Sequence, residues 1–321
     1  MSLSLPSRWA FWLRLGLTAA CLWAGWRWWS HQPPLEGFTF LFPWCLAALA
    51  LSPVVILLRA WKWRTCLRGL GRPSLGECLR SYVGALPLGM LTPGRAGELA
   101  RPLFFRDPRL RHVEASGRLL LDNWTDTLAV LLWSLPGCIW LWGGWGFAAA
   151  TALFLMLAWM PFWLGLGRLA LGGHHVPDAV EMAGKGRSRW QTFRVLALRW
   201  LPPPEAIGFR LLTLCTLWGL AAYAAELLQF LFLLKGLGLE HLPWWHLIGG
   251  LALVHLANSV QFTLAGIGPR EGMTVWLLAK LGLNAGVLLS ASSLQTLLIL
   301  ILPALVGLLF KPVALSEASK A

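Results

Sequence analysis

Six stretches of the chain are apolar on all sides and long enough to form membrane-spanning helices. A helix needs about 20 residues to cross the hydrocarbon core, and these stretches lie at residues 9–29, 38–58, 127–167, 211–234, 247–264 and 281–310. The stretch at 127–167 is long enough for two crossings, and Gly143 and Gly144 predict the turn between them. The pattern predicts an all-α integral membrane protein, a bundle of about seven transmembrane helices.

A membrane β-barrel is the other architecture that satisfies backbone hydrogen bonds in lipid, but its strands alternate apolar and polar residues. The composition agrees with helices in lipid, because 57% of the residues are hydrophobic and only 13% are charged. We expect residues 1–311 to form one multi-span transmembrane domain, interrupted by a basic loop at about 168–204 and followed by a short polar tail at 312–321.

The formal net charge of +13 is concentrated in three basic clusters that flank the predicted spans. Their members are Arg59, Lys62, Arg64, Arg68 and Arg72; Arg95, Arg101, Arg106, Arg109, Arg111 and Arg118; and Arg168, Lys185, Arg187, Arg189, Arg194 and Arg199. Basic loops stay on the cytoplasmic side, so we expect all three clusters and the N-terminus there, and most of these residues to set topology alone. Nothing resembles a nucleic-acid-binding motif. Anionic lipid headgroups are the expected partners.

The segment at Leu75–Leu91 lies between two loops that are both predicted to be cytoplasmic. It therefore has to re-enter the membrane or lie flat on it, and Gly84, Pro87 and Gly89 favour a broken helix. Broken backbone at membrane depth is tolerated where it is buried in protein or lines a wet cavity. The fold thus includes one or two re-entrant or broken segments.

A first short motif follows this segment. Pro93 and Gly94 suit a helix start, and Arg95, Glu98 and Arg101 recur every three residues on one face. The free N–H groups of a helix start, together with Arg95, favour an anion such as phosphate, and Glu98 would orient the arginines. Gly97 allows close approach of a neighbour or a headgroup.

A second motif in the other half of the chain repeats these ingredients. Gly266, Gly268 and Pro269 break the chain just before Arg270 and Glu271. Two broken, charge-bearing segments in the two halves of a hydrophobic chain indicate the substrate site of a transporter. The glycine spacing lacks the βαβ context of a dinucleotide site, and the chain has no Walker-type segment, so no cofactor is predicted.

Polar residues also lie inside the predicted spans. These are Asp122, Asp126, Glu226, Gln229, His255, Asn258 and Gln261. Ionisable groups at such depth usually face a bundle interior or a cavity. Interhelical hydrogen bonding is the alternative for Asn258 and Gln261, and an interfacial ion pair with Arg118 is the alternative for Asp122.

Taken in order, the motifs resemble the lysylphosphatidylglycerol synthase transmembrane region, also described as a flippase-like membrane family. The resemblance rests on residues 59–64 and 69–71, on Pro93 to Glu98 with Arg101, Asp122 and Asp126, and on 266–271 with 281–283. It implies a protein of the bacterial inner membrane that moves a lipid or polyprenyl-linked headgroup between leaflets, with a lipid-modifying enzyme as a further partner. Relatives carry a C-terminal aminoacyltransferase; we expect this chain not to make the lysyl lipid.

The leading hypothesis is that Arg95 and Arg270, held by Glu98 and Glu271, bind the phosphate of an anionic or polyprenyl-phosphate lipid. An intramembrane enzyme would instead use Asp122 and Asp126 as metal ligands or general base, although no nucleophile arrangement accompanies them. A non-transporting scaffold would use the Arg-Glu motifs as structural ion pairs. We favour a protein without enzymatic activity and predict no metal site.

Overall fold

The structure, a computed structural model, describes residues 41–107, 110, 113–159, 208–239, 243–257, 263 and 266–313, with scattered residues between 12 and 30. Every regular element in these ranges is helical, which confirms the predicted fold class. The elements are α1 (Phe42–Cys66), α2 (Leu75–Leu91), a 3₁₀ helix (Pro93–Phe104), α3 (Val113–Ala158), α4 (Phe209–Gly236), α5 (Trp244–Ala257), α6 (Pro269–Leu278), α7 (Ala285–Thr296) and α8 (Leu302–Gly307).

In the described part of the chain, 4 helices are long and apolar enough to cross a membrane. They are α1, α3, α4 and the continuous helix Ala285–Gly307, in which the π turn Leu297–Ile301 joins α7 to α8. They match the spans predicted at 38–58, 127–167, 211–234 and 281–310. The basic loop at 168–204 and about half of the residues of the span predicted at 9–29 lie outside the described residues.

The long helix α3 consists of two antiparallel arms. Gly143 has φ 60° and ψ −145°, values outside the helical region, and the indole N–H of Trp124 donates to the carbonyl of Leu157 at 2.7 Å. In a straight helix these two residues would be about 50 Å apart. The chain therefore reverses at Gly143, as predicted, and α3 supplies two crossings.

The helix α2 and the 3₁₀ helix form a first hairpin. A capping box of Ser74 and Glu77 starts α2, and Thr92 ends it. The returning 3₁₀ helix lies so close to α2 that a Cβ on Gly97 would come within 2.1 Å of the Leu88 carbonyl oxygen. Because both ends of the hairpin lie on one side, this reversal is the geometry that the predicted re-entry requires.

The helices α5 and α6 form a second hairpin. The described part of α5 has 14 residues and α6 has 10. Of the span predicted at 247–264, the structure describes residue 263 and residues 247–257, which are helical, so a full crossing there stays a prediction. A Cβ on Gly250 of α5 would lie 2.6 Å from the Leu278 side chain of α6, so the chain folds back between them. Gly266 and Gly268 have φ 74° and 96°, and with Pro269 they explain the break. Asn258 and Gln261 lie outside the described residues.

The two hairpins open to opposite sides of the bundle. The start of α1 meets the end of α4, where the Leu41 N–H donates to the Gly236 carbonyl at 2.9 Å. At the other ends of these helices, the sulfurs of Cys66 and Cys215 lie 3.4 Å apart. Since α2 follows the end of α1 and α5 follows the end of α4, the hairpins enter from opposite sides. Arg80 donates to the Lys311 carbonyl at 3.2 Å, which places residue 311 on the side of the first hairpin.

Candidate functional site

A buried network of charges joins α1, α3 and α4. Arg59 and Lys62 lie one turn apart on α1, facing Asp122 and Asp126, which lie one turn apart on α3. The Lys62 ammonium nitrogen is 2.7 Å from Asp126 and 3.1 Å from Asp122. Arg59 lies 2.6 Å from Glu226 of α4 and 3.3 Å from Asp126. The two predicted aspartates thus point into the bundle, and each has a cation in contact.

Two members of the first basic cluster, Arg59 and Lys62, belong to this network, although the sequence predicts that most residues of the basic clusters set topology alone. Lys62 has only 1% of its side chain exposed and Arg59 has 16%. Asp122 pairs with Lys62 and with Arg101. The sequence did contain a signal for these contacts, because the two cations of α1 and the two carboxylates of α3 are each spaced by about one helical turn.

The first hairpin inserts Arg101 into this network. A 3₁₀ helix has three residues per turn, so Arg95, Glu98 and Arg101 line one edge of it, as the spacing predicted. Arg101 donates to Asp122 at 2.6 Å and forms a short hydrogen bond with Glu98. Its guanidinium also lies over the rings of Tyr82 and Trp63, at 4.8 and 5.4 Å from their centroids. Arg101 is thus held from several directions by protein groups.

Arg95, at the tip of the first hairpin, has weaker contacts with protein groups than Arg101. Its guanidinium lies 3.7 Å from Glu98, beyond hydrogen-bond distance, and 42% of its side chain is exposed. Its φ of 58° is in the left-handed region, which a residue with a branched or long side chain rarely adopts. Such strain is typical of functional sites. Gly94 belongs to the same 3₁₀ helix, while the N–H of Gly97 is bonded to the Thr92 hydroxyl and is not free for an anion.

The second motif is arranged differently from the expectation that Glu271 holds Arg270. Glu271 accepts a hydrogen bond from the Gly268 N–H at 2.7 Å and another from the Thr296 hydroxyl at 2.7 Å. The reason is local: α6 starts at Pro269, so Glu271 is its third residue and reaches back to cap the helix. Arg270 donates instead to the side-chain oxygen of Gln295 at 2.7 Å.

Arg270 is a buried cation, 7% exposed, and no carboxylate among the described residues lies within 4.0 Å of its guanidinium. The ring nitrogen Nε2 of His255, in α5, is 3.9 Å from Glu226. Met90, near the end of α2, and Ile267, just before Gly268, pack against the same buried cluster, which consists of Tyr82, Val83, Leu86, Leu300 and Ala304. The first hairpin and the second motif therefore border one cluster.

The cations at this centre divide into two groups. Arg59, Lys62 and Arg101 each contact carboxylates at 3.3 Å or less. Arg95 and Arg270 do not, although a guanidinium can donate several N–H groups in a fork that fits carboxylate or phosphate oxygens. The unused donors of these two arginines can receive an anion. Asp122 and Asp126 contact ammonium and guanidinium groups, so their carboxylates form ion pairs with protein cations and are not arranged as metal ligands.

Sequence reasoning missed Gln295 and Tyr223. Gln295 connects Arg270 to the backbone carbonyl of Glu226, to which it donates at 2.8 Å. Tyr223 lies beneath the Arg59 guanidinium and packs edge-on against His255. A neutral polar residue in an apolar span carries little signal, because its partner is set by packing between helices far apart in the chain.

Comparison with protein-family models matches residues 11–307 to the lysylphosphatidylglycerol synthase TM region. The match covers both hairpins and all the described spans. Comparison with curated proteins returned no match. Because the family model covers most of the chain, and the helical membrane fold agrees with it, this protein belongs to the lysylphosphatidylglycerol synthase transmembrane region family.

Proposed function

We propose that this protein binds the phosphate of an anionic or polyprenyl-phosphate lipid between the tips of its two hairpins and moves the headgroup between leaflets. The observation that carries the proposal is that Arg95 and Arg270, among the described residues, have no carboxylate within hydrogen-bond distance. They belong to hairpins that open to opposite sides and border one buried cluster. Membership of the family supports a membrane protein with a lipid-related role.

The energetic argument rests on Arg270. A buried charge without a contacting counter-ion is costly, so a structural role alone leaves its position unexplained. A phosphate oxygen accepting from Arg270 and Arg95 would satisfy the unused donors in charge-assisted hydrogen bonds. The acyl or prenyl tails would stay in the bilayer, so that no bare charge enters hydrocarbon.

The opposed hairpins support transport rather than static binding. Broken segments that meet at mid-membrane from opposite sides can each expose a central site by moving one tip. The bacterial inner membrane is the proposed location, and a separate lipid-modifying enzyme is the proposed source of the headgroup. The chain has no Walker-type segment, so ATP-driven movement would require another subunit.

The test of the site is mass spectrometry of lipids that copurify with the protein. The double variant Arg95→Gln, Arg270→Gln should lose enrichment of one anionic lipid by at least about tenfold, since each charged hydrogen bond contributes roughly 1.5–3 kcal/mol. Arg68→Gln, at an exposed position outside the network, is the matched control and should behave as wild type. If wild type and double variant retain the same bulk lipids, Arg95 and Arg270 do not bind a phosphate, and the hypothesis of a non-transporting scaffold is favoured.

Transport is tested separately in proteoliposomes. Fluorescent phosphatidylglycerol placed in one leaflet should reach the other faster with wild-type protein than with the double variant. Movement of fluorescent phosphatidylcholine should differ little between them. Binding without movement would leave a lipid-binding protein and refute the transport half of the proposal.

A further inference from the structure

Two consecutive residues at the end of α7 form hydrogen bonds with two consecutive residues of the second motif. Gln295 accepts from Arg270, and the next residue, Thr296, donates to Glu271, each at 2.7 Å. Both are buried, with 2% and 4% of their surfaces exposed. The π turn Leu297–Ile301 follows at once, and such turns are frequent at functional sites.

Both polar atoms of the Gln295 amide are used. The oxygen accepts from Arg270, while the nitrogen donates at 2.8 Å to the Glu226 carbonyl of α4. The amide therefore has one orientation, and it fixes one nitrogen of the Arg270 guanidinium while the other donors stay available. A carboxylate here would bind Arg270 more strongly but would neutralise its charge.

Arg270 differs from the three cations of the charge network in the chemistry of its partner. Arg59, Lys62 and Arg101 all contact carboxylates, whereas Arg270 donates to a neutral amide. We infer that Gln295 is a positioning residue that aims Arg270 at the headgroup and, because it is uncharged, keeps the site selective for an anion. This inference rests on the proposed function.

The experiment compares Gln295→Glu with Gln295→Met, which have similar size and differ in charge. Each protein is incubated with vesicles of equal parts phosphatidylglycerol and phosphatidylcholine at mildly alkaline pH, where a glutamate is ionised. The ratio of the two lipids retained is then measured. Gln295→Glu should lower the phosphatidylglycerol preference at least about tenfold, because a like charge opposes the anion. Gln295→Met should lower it no more than about threefold, since the charge of Arg270 is preserved.

Thermal unfolding of the same two proteins separates selectivity from folding. Both variants lose the hydrogen bond to Glu226, but only the glutamate can pair with Arg270, so Gln295→Glu should be at least as stable as Gln295→Met. A less stable Gln295→Glu, an equal loss of preference in both variants, or no loss in either would each overturn the inference. If wild type itself shows no preference, the proposed function fails instead.

Discussion

The ammonium nitrogen of Lys62 lies 2.7 Å from the Asp126 carboxylate, and 1% of the lysine side chain is exposed. Asp122 lies 3.1 Å from the same nitrogen. One lysine thus contacts a buried and a half-buried carboxylate and joins α1 to α3. A buried ion pair adds little net stability over an apolar pair, but removing one partner leaves the other charge uncompensated.

We expect Lys62→Met to lower the free energy of unfolding by about 1–3 kcal/mol, because Asp122 keeps its contact with Arg101 and Asp126 keeps its contact with Arg59. The measurement is thermal or denaturant unfolding of the purified protein in detergent. Arg68→Met is the matched control, because Arg68 is exposed on the same segment and should change stability by less than about 0.5 kcal/mol. Equal effects of the two substitutions would show that the network does not stabilise the bundle.

A second prediction concerns the contact of α3 with α5. Gly137 and Gly249 lie back to back, and a Cβ on Gly249 would come within 1.9 Å of the Gly137 backbone nitrogen. Backbone cannot yield as a flexible side chain does, so Gly249→Ala should destabilise the protein by about 1–3 kcal/mol or more.

The control for this prediction is Gly272→Ala in α6. A Cβ there has no atom within 4 Å, and Gly272 is exposed. Alanine should stabilise that helix by up to about 1 kcal/mol. If Gly249→Ala matched Gly272→Ala in the unfolding measurement, the close approach of α3 and α5 would be wrong.

The features that sequence could predict are those encoded by a continuous segment. The turn at Gly143 was predictable because a double glycine interrupts an apolar run long enough for two spans. The alignment of Arg95, Glu98 and Arg101 on one face was predictable because residues three apart in sequence lie on the same face of a 3₁₀ helix. The partner of Arg270 was not predictable. Glu271 caps the start of α6, so Arg270 donates to Gln295 instead, and the sequence pattern does not show this.

The positive-inside pattern was also ambiguous at the level of single residues. It predicts on which side a cluster lies, but Lys62 turns inward while Arg68 stays exposed. The difference arises from Asp122 and Asp126, which lie far along the chain and are brought to α1 by helix packing. The packing of α6 back onto α5 was likewise not predicted, because apolar composition alone does not distinguish a crossing from a return.

A third prediction tests the opposed hairpins. In a variant without the 6 native cysteines, single cysteines replace Arg72, Lys280 or Lys311, all exposed positions. A membrane-impermeant maleimide added outside intact cells should label only Lys280→Cys, because residue 280 follows the second hairpin. Arg72→Cys and Lys311→Cys should react only after the membrane is opened. Labelling of all three from one side would contradict the arrangement.

The last prediction separates function from stability at the tip of the first hairpin. Arg95 has φ 58°, which costs a non-glycine residue about 1–2 kcal/mol, and among the described residues its ion-pair contact is with Glu98 at 3.7 Å. Arg95→Gly should therefore raise the free energy of unfolding by up to about 1 kcal/mol, after allowing for the extra freedom of glycine in the unfolded chain.

The same substitution should weaken retention of anionic lipid, because the guanidinium is gone. Ala96→Gly is the neighbouring control and should only lower stability, since Ala96 has no positive φ to relieve. Unfolding and lipid retention are measured on the same preparations. If Arg95→Gly is less stable than wild type, the side chain supports the fold through Glu98; if it is more stable but binds poorly, the strain at residue 95 persists because the arginine serves the ligand.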